Sequence, residues 1–217
     1  MTNYSAKDLI TRSCRQLWYF SMLPKPTVLR KKAPSQRMLD GTDFQNMIIS
    51  NYFPNCHSEM CGVFEYKDNA VFFSNDICYP NKIIEVKWVD ESEPVPDWYL
   101  QNSILQCALY SSFIRSGCTL LHTAKFSVKG GSKSRVIEID KEVPYYLRFG
   151  GDTYAVEVLD PEPFLDYIRK KIDSISSKIE AARFDFKYKH KEFQLLGEYF
   201  QYRKLSESES KLLQEST

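Results

Sequence analysis

The segment 72–88 constrains this chain more than any other. It reads FFSNDICYPNKIIEVKW, two apolar and aromatic runs joined by Tyr79-Pro80-Asn81. That is the composition of two short strands and the turn between them. Successive side chains of a strand alternate between its faces. Glu85 and Lys87 therefore emerge side by side on the second strand, while Ile84, Val86 and Trp88 face the other way. The turn brings Asp76, near the end of the first strand, back alongside them. Two carboxylates and an ammonium on one sheet face are costly unless a cation or an anionic substrate sits among them. The pattern suits a divalent metal and a phosphodiester.

The flanks place this hairpin in a larger architecture. A strand signal over 59–66 ends at Lys67-Asp68-Asn69, so 59–66, 70–78 and 82–89 read as a three-stranded meander. An acidic, proline-bearing loop leads to a helix over 97–114, with Ile104, Leu105, Ala108, Leu109, Ser112 and Phe113 on one stripe. A strand follows over 119–128, then Gly130-Gly131 turns into 135–140, and 145–149 and 154–159 carry further strand signals. Upstream, Ser5-Ala6-Lys7-Asp8 reads as a helix start, with Ser5 as the candidate N-cap, and Leu9, Ile10, Cys14, Leu17 and Trp18 follow at helical spacing. Pro24, Pro26 and Pro34 then break the chain around a basic Arg30-Lys31-Lys32. Asp40-Gly41-Thr42 introduces a second helix over 43–52, with Phe44, Met47 and Ile48 inward. Pro161 opens a helical region in which Phe164, Ile168, Ile172, Ile175 and Ile179 make a narrow seam. That seam needs a partner surface, in cis or in another subunit, so self-association through the C-terminal helix is one expectation. The run 183–191 is basic and aromatic, and from Ser206 onward the chain is polar and expected to fray. The order is mixed α/β: a domain over 1–160 and a helical extension over 161–217, packed on that core or extending from it.

Composition excludes several classes. The 217 residues are 43% hydrophobic, enough for one sizeable core. A net charge of +1 argues against sequence-blind coating of nucleic acid, though not against a local basic groove. Cys14, Cys56, Cys61, Cys78, Cys107 and Cys118 contain no C-x-x-C pair, so no zinc-ribbon or thioredoxin signature is present. Their scatter through apolar segments suggests buried free thiols in a reducing compartment. With no secretory signal and no membrane-spanning run in the sequence, the expectation is an intracellular, cytoplasmic protein without a membrane partner. There is no G-x-G-x-x-G and no G-x-x-x-x-G-K-[ST], and His57, His122 and His190 form no ligand cluster.

Asp76 followed by Glu85-Val86-Lys87 resembles the active site of the PD-(D/E)XK nucleases, with Asn75 where that family usually has proline. Three further motifs are similar to its RecB-type branch, which includes the CRISPR-associated exonucleases. Cys14-Arg15-Gln16-Leu17-Trp18-Tyr19 resembles the opening helix of that branch. Gly41-Thr42-Asp43-Phe44-Gln45 resembles its G-x-x-x-H/E element, with Gln45 in the His or Glu slot. Gln106-Cys107-Ala108-Leu109-Tyr110 matches Q-x-x-x-Y. The likeness covers 5–110.

The resemblance implies a restriction-endonuclease-like core, a central mixed sheet flanked by helices, and hydrolysis of DNA by an exonuclease using Mg²⁺ or Mn²⁺. Such hard ions take oxygen ligands, here Asp76, Glu85, the Val86 carbonyl and, more weakly, Gln45. Lys87 would orient the attacking water and offset developing charge. Gln106 and Tyr110, one turn apart, would contact DNA or brace the site, and Arg30, Lys31 and Lys32 would meet phosphates. Members with an iron–sulfur cluster use one N-terminal and three C-terminal cysteines. After Tyr110 only Cys118 remains, so no cluster is expected. Acid-x-Lys also occurs at Glu65-Tyr66-Lys67 and Asp185-Phe186-Lys187. The neighbouring motifs favour Glu85-x-Lys87. Glu65, in a Gly62-Val63-Phe64-Glu65 run, is either an auxiliary acid or a surface residue. The alternatives to an active nuclease are an inactive relative that binds DNA within a larger assembly, and a non-nuclease interaction protein.

Overall fold

The computed structural model describes residues 2–23, 36–53, 55–79, 82–89, 96–114, 117–124, 153–188 and 191–215. The elements run β1 (Thr2–Ser5), α1 (Ala6–Thr11), α2 (Cys14–Met22), α3 (Gln36–Tyr52), β2 (His57–Tyr66), β3 (Asn69–Tyr79), β4 (Lys82–Val89), α4 (Asp97–Ile114) and β5 (Gly117–Ala124). They continue with β6 (Thr153–Val158), α5 (Glu162–Ser174), α6 (Lys178–Tyr188), α7 (Glu192–Leu196), β7 (Phe200–Lys204) and α8 (Glu207–Glu215). The basic run Arg30-Lys31-Lys32 and the strand signals at 135–140 and 145–149 lie outside the described residues.

The strands form one mixed sheet in the order β1-β3-β4-β5-β6-β7, with β2 also on β3. The β1–β3 and β4–β5 pairs are parallel and the others antiparallel. The meander is present, and its middle strand is unusual. β2 follows one edge of β3 from Asn69 to Cys78. The other edge is shared between β1, along Asn69 to Phe72, and β4, along Ile77 to Tyr79. β4 then leaves β3 and continues with β5 as far as Val89. The hairpin therefore opens just where Asp76 and Glu85 stand.

Helices cover both faces. Phe44 and Ile48 of α3 pack with Ile77, Ile84 and Val86. The opposite face carries Cys78 and Ile83 into the main core with α1, α4 and α5. The expected single stripe on α4 is too narrow a description, since every residue from Ser103 to Ser112 is buried. The sheet takes one side, while α1, α5 and α7 take the rest, as expected of a helix apolar all round.

Several sequence expectations need correcting. The opening helix is two helices, α1 and α2. Ser13 starts the second with a reciprocal capping box to Gln16. α3 begins before Asp40-Gly41-Thr42, which lie within it rather than at its start; an internal glycine costs only about 1 kcal/mol there. The seam after Pro161 is also broken. Phe164, Ile168, Ile172 and Ile175 are buried in the core, but Ile179 is 65% exposed on the separate helix α6. Ser177 starts α6, its hydroxyl accepting from Glu180 N at 3.1 Å. The extension is not wholly helical, because β7 pairs with β6 and adds a strand to the sheet. The terminal segment forms α8, where Ser206 and Glu209 cap each other reciprocally.

The C-terminal segment docks through buried charge. Asp185 accepts from Cys14 N at 2.7 Å and Arg15 N at 3.1 Å, capping α2 from across the chain. Lys171, almost wholly buried, stands 3.9 Å from Glu192, which also accepts from the Tyr167 hydroxyl at 2.9 Å. No helix among the described residues is long and apolar enough to cross a membrane.

Candidate active site

The β3–β4 ladder ends at Ile77–Ile84. Continuing that register by one residue sets Asp76 opposite Glu85, on the face away from Ile84 and Val86. The ladder is replaced there by a side chain, as Val86 N donates to Asp76 Oδ2 at 2.7 Å. A residue's N–H and C=O leave a strand on the same edge, so the Val86 carbonyl also points toward the opening.

Glu85 is 5% exposed and is held from two sides. Lys87, two residues on, pairs with Glu85 Oε1. Gln106 Nε2, from α4, donates to the same oxygen at 2.7 Å and to Tyr110 Oη at 3.0 Å. The one-turn spacing of Gln106 and Tyr110 thus becomes a direct contact, and the Tyr110 ring is fixed against Phe73 with centroids 5.7 Å apart. Glu85 Oε2 is buried without a hydrogen-bond partner among the described residues. A buried carboxylate oxygen in that condition is expensive.

The electrostatics follow from crowding. Burial, and next the Glu85 charge, push Asp76 up to about 7, against the opposing pull of Lys87, the Val86 N–H and Lys7. Burial lowers Lys87, but Glu85 and Asp76 outweigh it, so its pKa is raised and the ammonium stays charged. Burial and the Glu85 charge raise Tyr110, which stays a neutral phenol. At neutral pH Asp76 is therefore poised to gain or lose its proton. Among the described residues, no group of three or more His, Cys, Asp or Glu side chains gathers as a metal site.

The structure thus brings together Asp76, Glu85, Lys87, Gln106 and Tyr110, with the Val86 backbone. It does not bring Gln45 into this set. Gln45 is half-buried on α3, next to Phe44 on the face of Ile84 and Val86, and no hydrogen bond among the described residues joins it to either carboxylate. The rival triplets have other work. Lys67 and Tyr66 bond Asp173 on the surface, and Asp185 caps α2. Glu65 is exposed opposite Ala70, a surface residue far along β3 from Asp76. Gly62 is explained by Phe73, its cross-strand partner, whose ring occupies the space a Cβ would need. Residues the motifs did not point to include Lys7, at the start of α1, whose charge reaches Asp76.

No family model matches the chain, and no curated protein is similar to it in sequence. A solved structure titled "Crystal structure of SSO0001" is similar in fold, with a TM-score of 0.50 and 16% identity over 80% of this chain and 76% of that one. At that identity the likeness concerns the fold alone: a mixed α/β protein with a mixed sheet flanked by helices.

Proposed function

We propose that this chain is a divalent-metal-dependent nuclease of PD-(D/E)XK type, with a restriction-endonuclease-like core that hydrolyses DNA phosphodiester bonds, in the manner of RecB-like exonucleases. The observation that carries the reading is Glu85. It is buried, with one oxygen held by Lys87 and Gln106 and the other without a partner among the described residues, beside a second carboxylate pushed up to about 7. A cation between Asp76 and Glu85 would satisfy the free oxygen and relieve the repulsion at once. The donor set is oxygen only, including the Val86 carbonyl, which fits Mg²⁺ or Mn²⁺. Gln45 has no supporting contact as a ligand.

Each residue then has a physical task. Asp76, fixed by the Val86 N–H, and Glu85, fixed by Gln106, would hold the ion. When bound, the ion polarises a phosphate oxygen and lowers the pKa of a water. Lys87, kept protonated by its neighbours, supplies positive charge where charge develops on the phosphate. Gln106 holds one Glu85 oxygen and so leaves the second for the ion, and Tyr110 steadies Gln106 as a neutral phenol.

The test is incubation with single- and double-stranded DNA, linear and circular, in Mg²⁺ or Mn²⁺. Cleavage that needs metal and disappears in Glu85→Ala and Lys87→Ala is expected. No cleavage, or cleavage unchanged in both variants, would sink the enzyme reading. DNA bound but uncut would point instead to a binding component of a larger assembly.

A further inference from the structure

A cavity of about 480 Å³ opens between the α1–α2 junction, the first turns of α4 and the α6–α7 region. Its size is that of a small-ligand pocket. One wall is a stripe of α4 that includes Trp98, Gln101 and Asn102. By helical geometry this stripe is turned roughly a quarter-turn from Gln106, with Asn102 about 6 Å along the axis from it. The cavity is therefore a neighbour of the proposed cleavage site and not part of it.

Arg12 and Arg15 reach the cavity from the α1–α2 junction, each hydrogen-bonded through Nε, and the Arg12 guanidinium also lies over the Phe20 ring, 5.0 Å from its centroid. Arg12 Nε donates to Asp8 Oδ1 at 2.7 Å and Arg15 Nε to Asp185 Oδ2 at 3.2 Å. No hydrogen bond among the described residues uses the terminal nitrogens of either guanidinium. The face of Arg12 is taken by Phe20, yet the in-plane terminal N–H groups of both forks stay available for the paired hydrogen bonds by which arginine recognises phosphate. The two acids of the lining are already engaged. Asp185 accepts from Cys14 N, Arg15 N and Arg15 Nε, and Glu192 accepts from Tyr167 and faces Lys171. What remains for a ligand is two positive forks, two amides and the Trp98 indole, which is 64% exposed.

We propose that this cavity binds one nucleotide unit of single-stranded DNA, its base stacked on Trp98 and its phosphate on Arg12 and Arg15, with Gln101 and Asn102 as adaptable donors. The choice of polymer rests on the nuclease reading. A base joined to a phosphate is also a free nucleotide, and the experiment separates the two. Stacking on an indole needs an unpaired base, and the cavity is too small for a duplex, so a single strand is the form that fits.

The assay is fluorescence anisotropy of a labelled oligothymidine in EDTA, competed by unlabelled oligothymidine, thymidine monophosphate or duplex. Trp98→Ala should weaken binding roughly five- to a hundredfold without changing the salt slope. Arg12→Gln, which gives up the Asp8 pair and the contact with Phe20, should lower that slope by about 0.7. Thymidine monophosphate should compete poorly. Unchanged affinity in both variants overturns the subsite, and monophosphate competing as well as the oligomer overturns the strand assignment. Because binding is read without metal, an absence of cleavage would count against the nuclease reading alone.

Discussion

Asp76→Asn removes one of the two crowded carboxylates while keeping an oxygen to accept the Val86 N–H. Asp76 titrates at about 7 in the folded protein against 3.8 as the unperturbed value. Well below 3.8 the acid is protonated in both states and costs nothing. As pH rises the unfolded chain ionises first, so stability falls until the folded group also ionises near 7. Above that the full cost is present. At 1.36 kcal/mol per pH unit, the cost is roughly 1.5 kcal/mol at pH 5 and roughly 4 kcal/mol at pH 8. Asn carries none of it. In EDTA, urea unfolding should therefore show Asp76→Asn gaining about 2.5 kcal/mol more over the wild type at pH 8 than at pH 5. Added Mg²⁺ should stabilise the wild type at pH 8, by binding the folded state alone, and leave the variant unmoved. Stability curves that run parallel between the two pH values would refute the crowding argument.

Lys87→Ala should reduce cleavage by about two orders of magnitude or more, as for loss of one electrostatic stabiliser, while single-strand binding in EDTA is retained; product formation on gels decides. Asp185→Ala leaves the Cys14 and Arg15 N–H groups without their acceptor and should lower stability by about 2 kcal/mol in urea. Its partly exposed ion pair with Arg15 contributes little of that. Gly62→Ala forces the Phe73 ring aside and should cost about 1–3 kcal/mol, read as a lower midpoint at unchanged slope. Cys61, which is exposed, should react with a disulfide reagent in the native protein, while buried Cys14, pushed up to about 12 chiefly by burial, should react only on unfolding.

Short-range chemistry is legible in the amino-acid order alone. The meander, the shared face of Glu85 and Lys87, the helix over 97–114 and the contact of Gln106 with Tyr110 all follow from periods of two and 3.6 residues. The helix breaks are equally written there. Ser13 with Gln16, Ser177 with Glu180 and Ser206 with Glu209 each carry the Ser-x-x-Glu/Gln pattern of a helix start, and apolar periodicity across the first two hides it. Gly41 misleads for the opposite reason, because a glycine suggests a boundary where the helix simply runs through.

What only the tertiary structure decided is how residues far apart in sequence share space. The opening of β3 from β4 depends on β1 occupying the other end of the same edge. Gln106 reaching Glu85 depends on how α4 crosses the sheet. The burial of α4 on all sides depends on α5 and α7, and the Cys14 and Arg15 N–H groups, which the Ser13 capping box leaves unsatisfied, find their acceptor in Asp185, 171 residues beyond Cys14. Local periodicity records which face of an element is apolar, and it carries no record of what covers that face. The sequence by itself therefore set the chemistry of Asp76, Glu85 and Lys87. The packing around them decided that one Glu85 oxygen is held and the other buried without a partner among the described residues, and that α3, which carries Gln45, packs on the face of Ile84 and Val86.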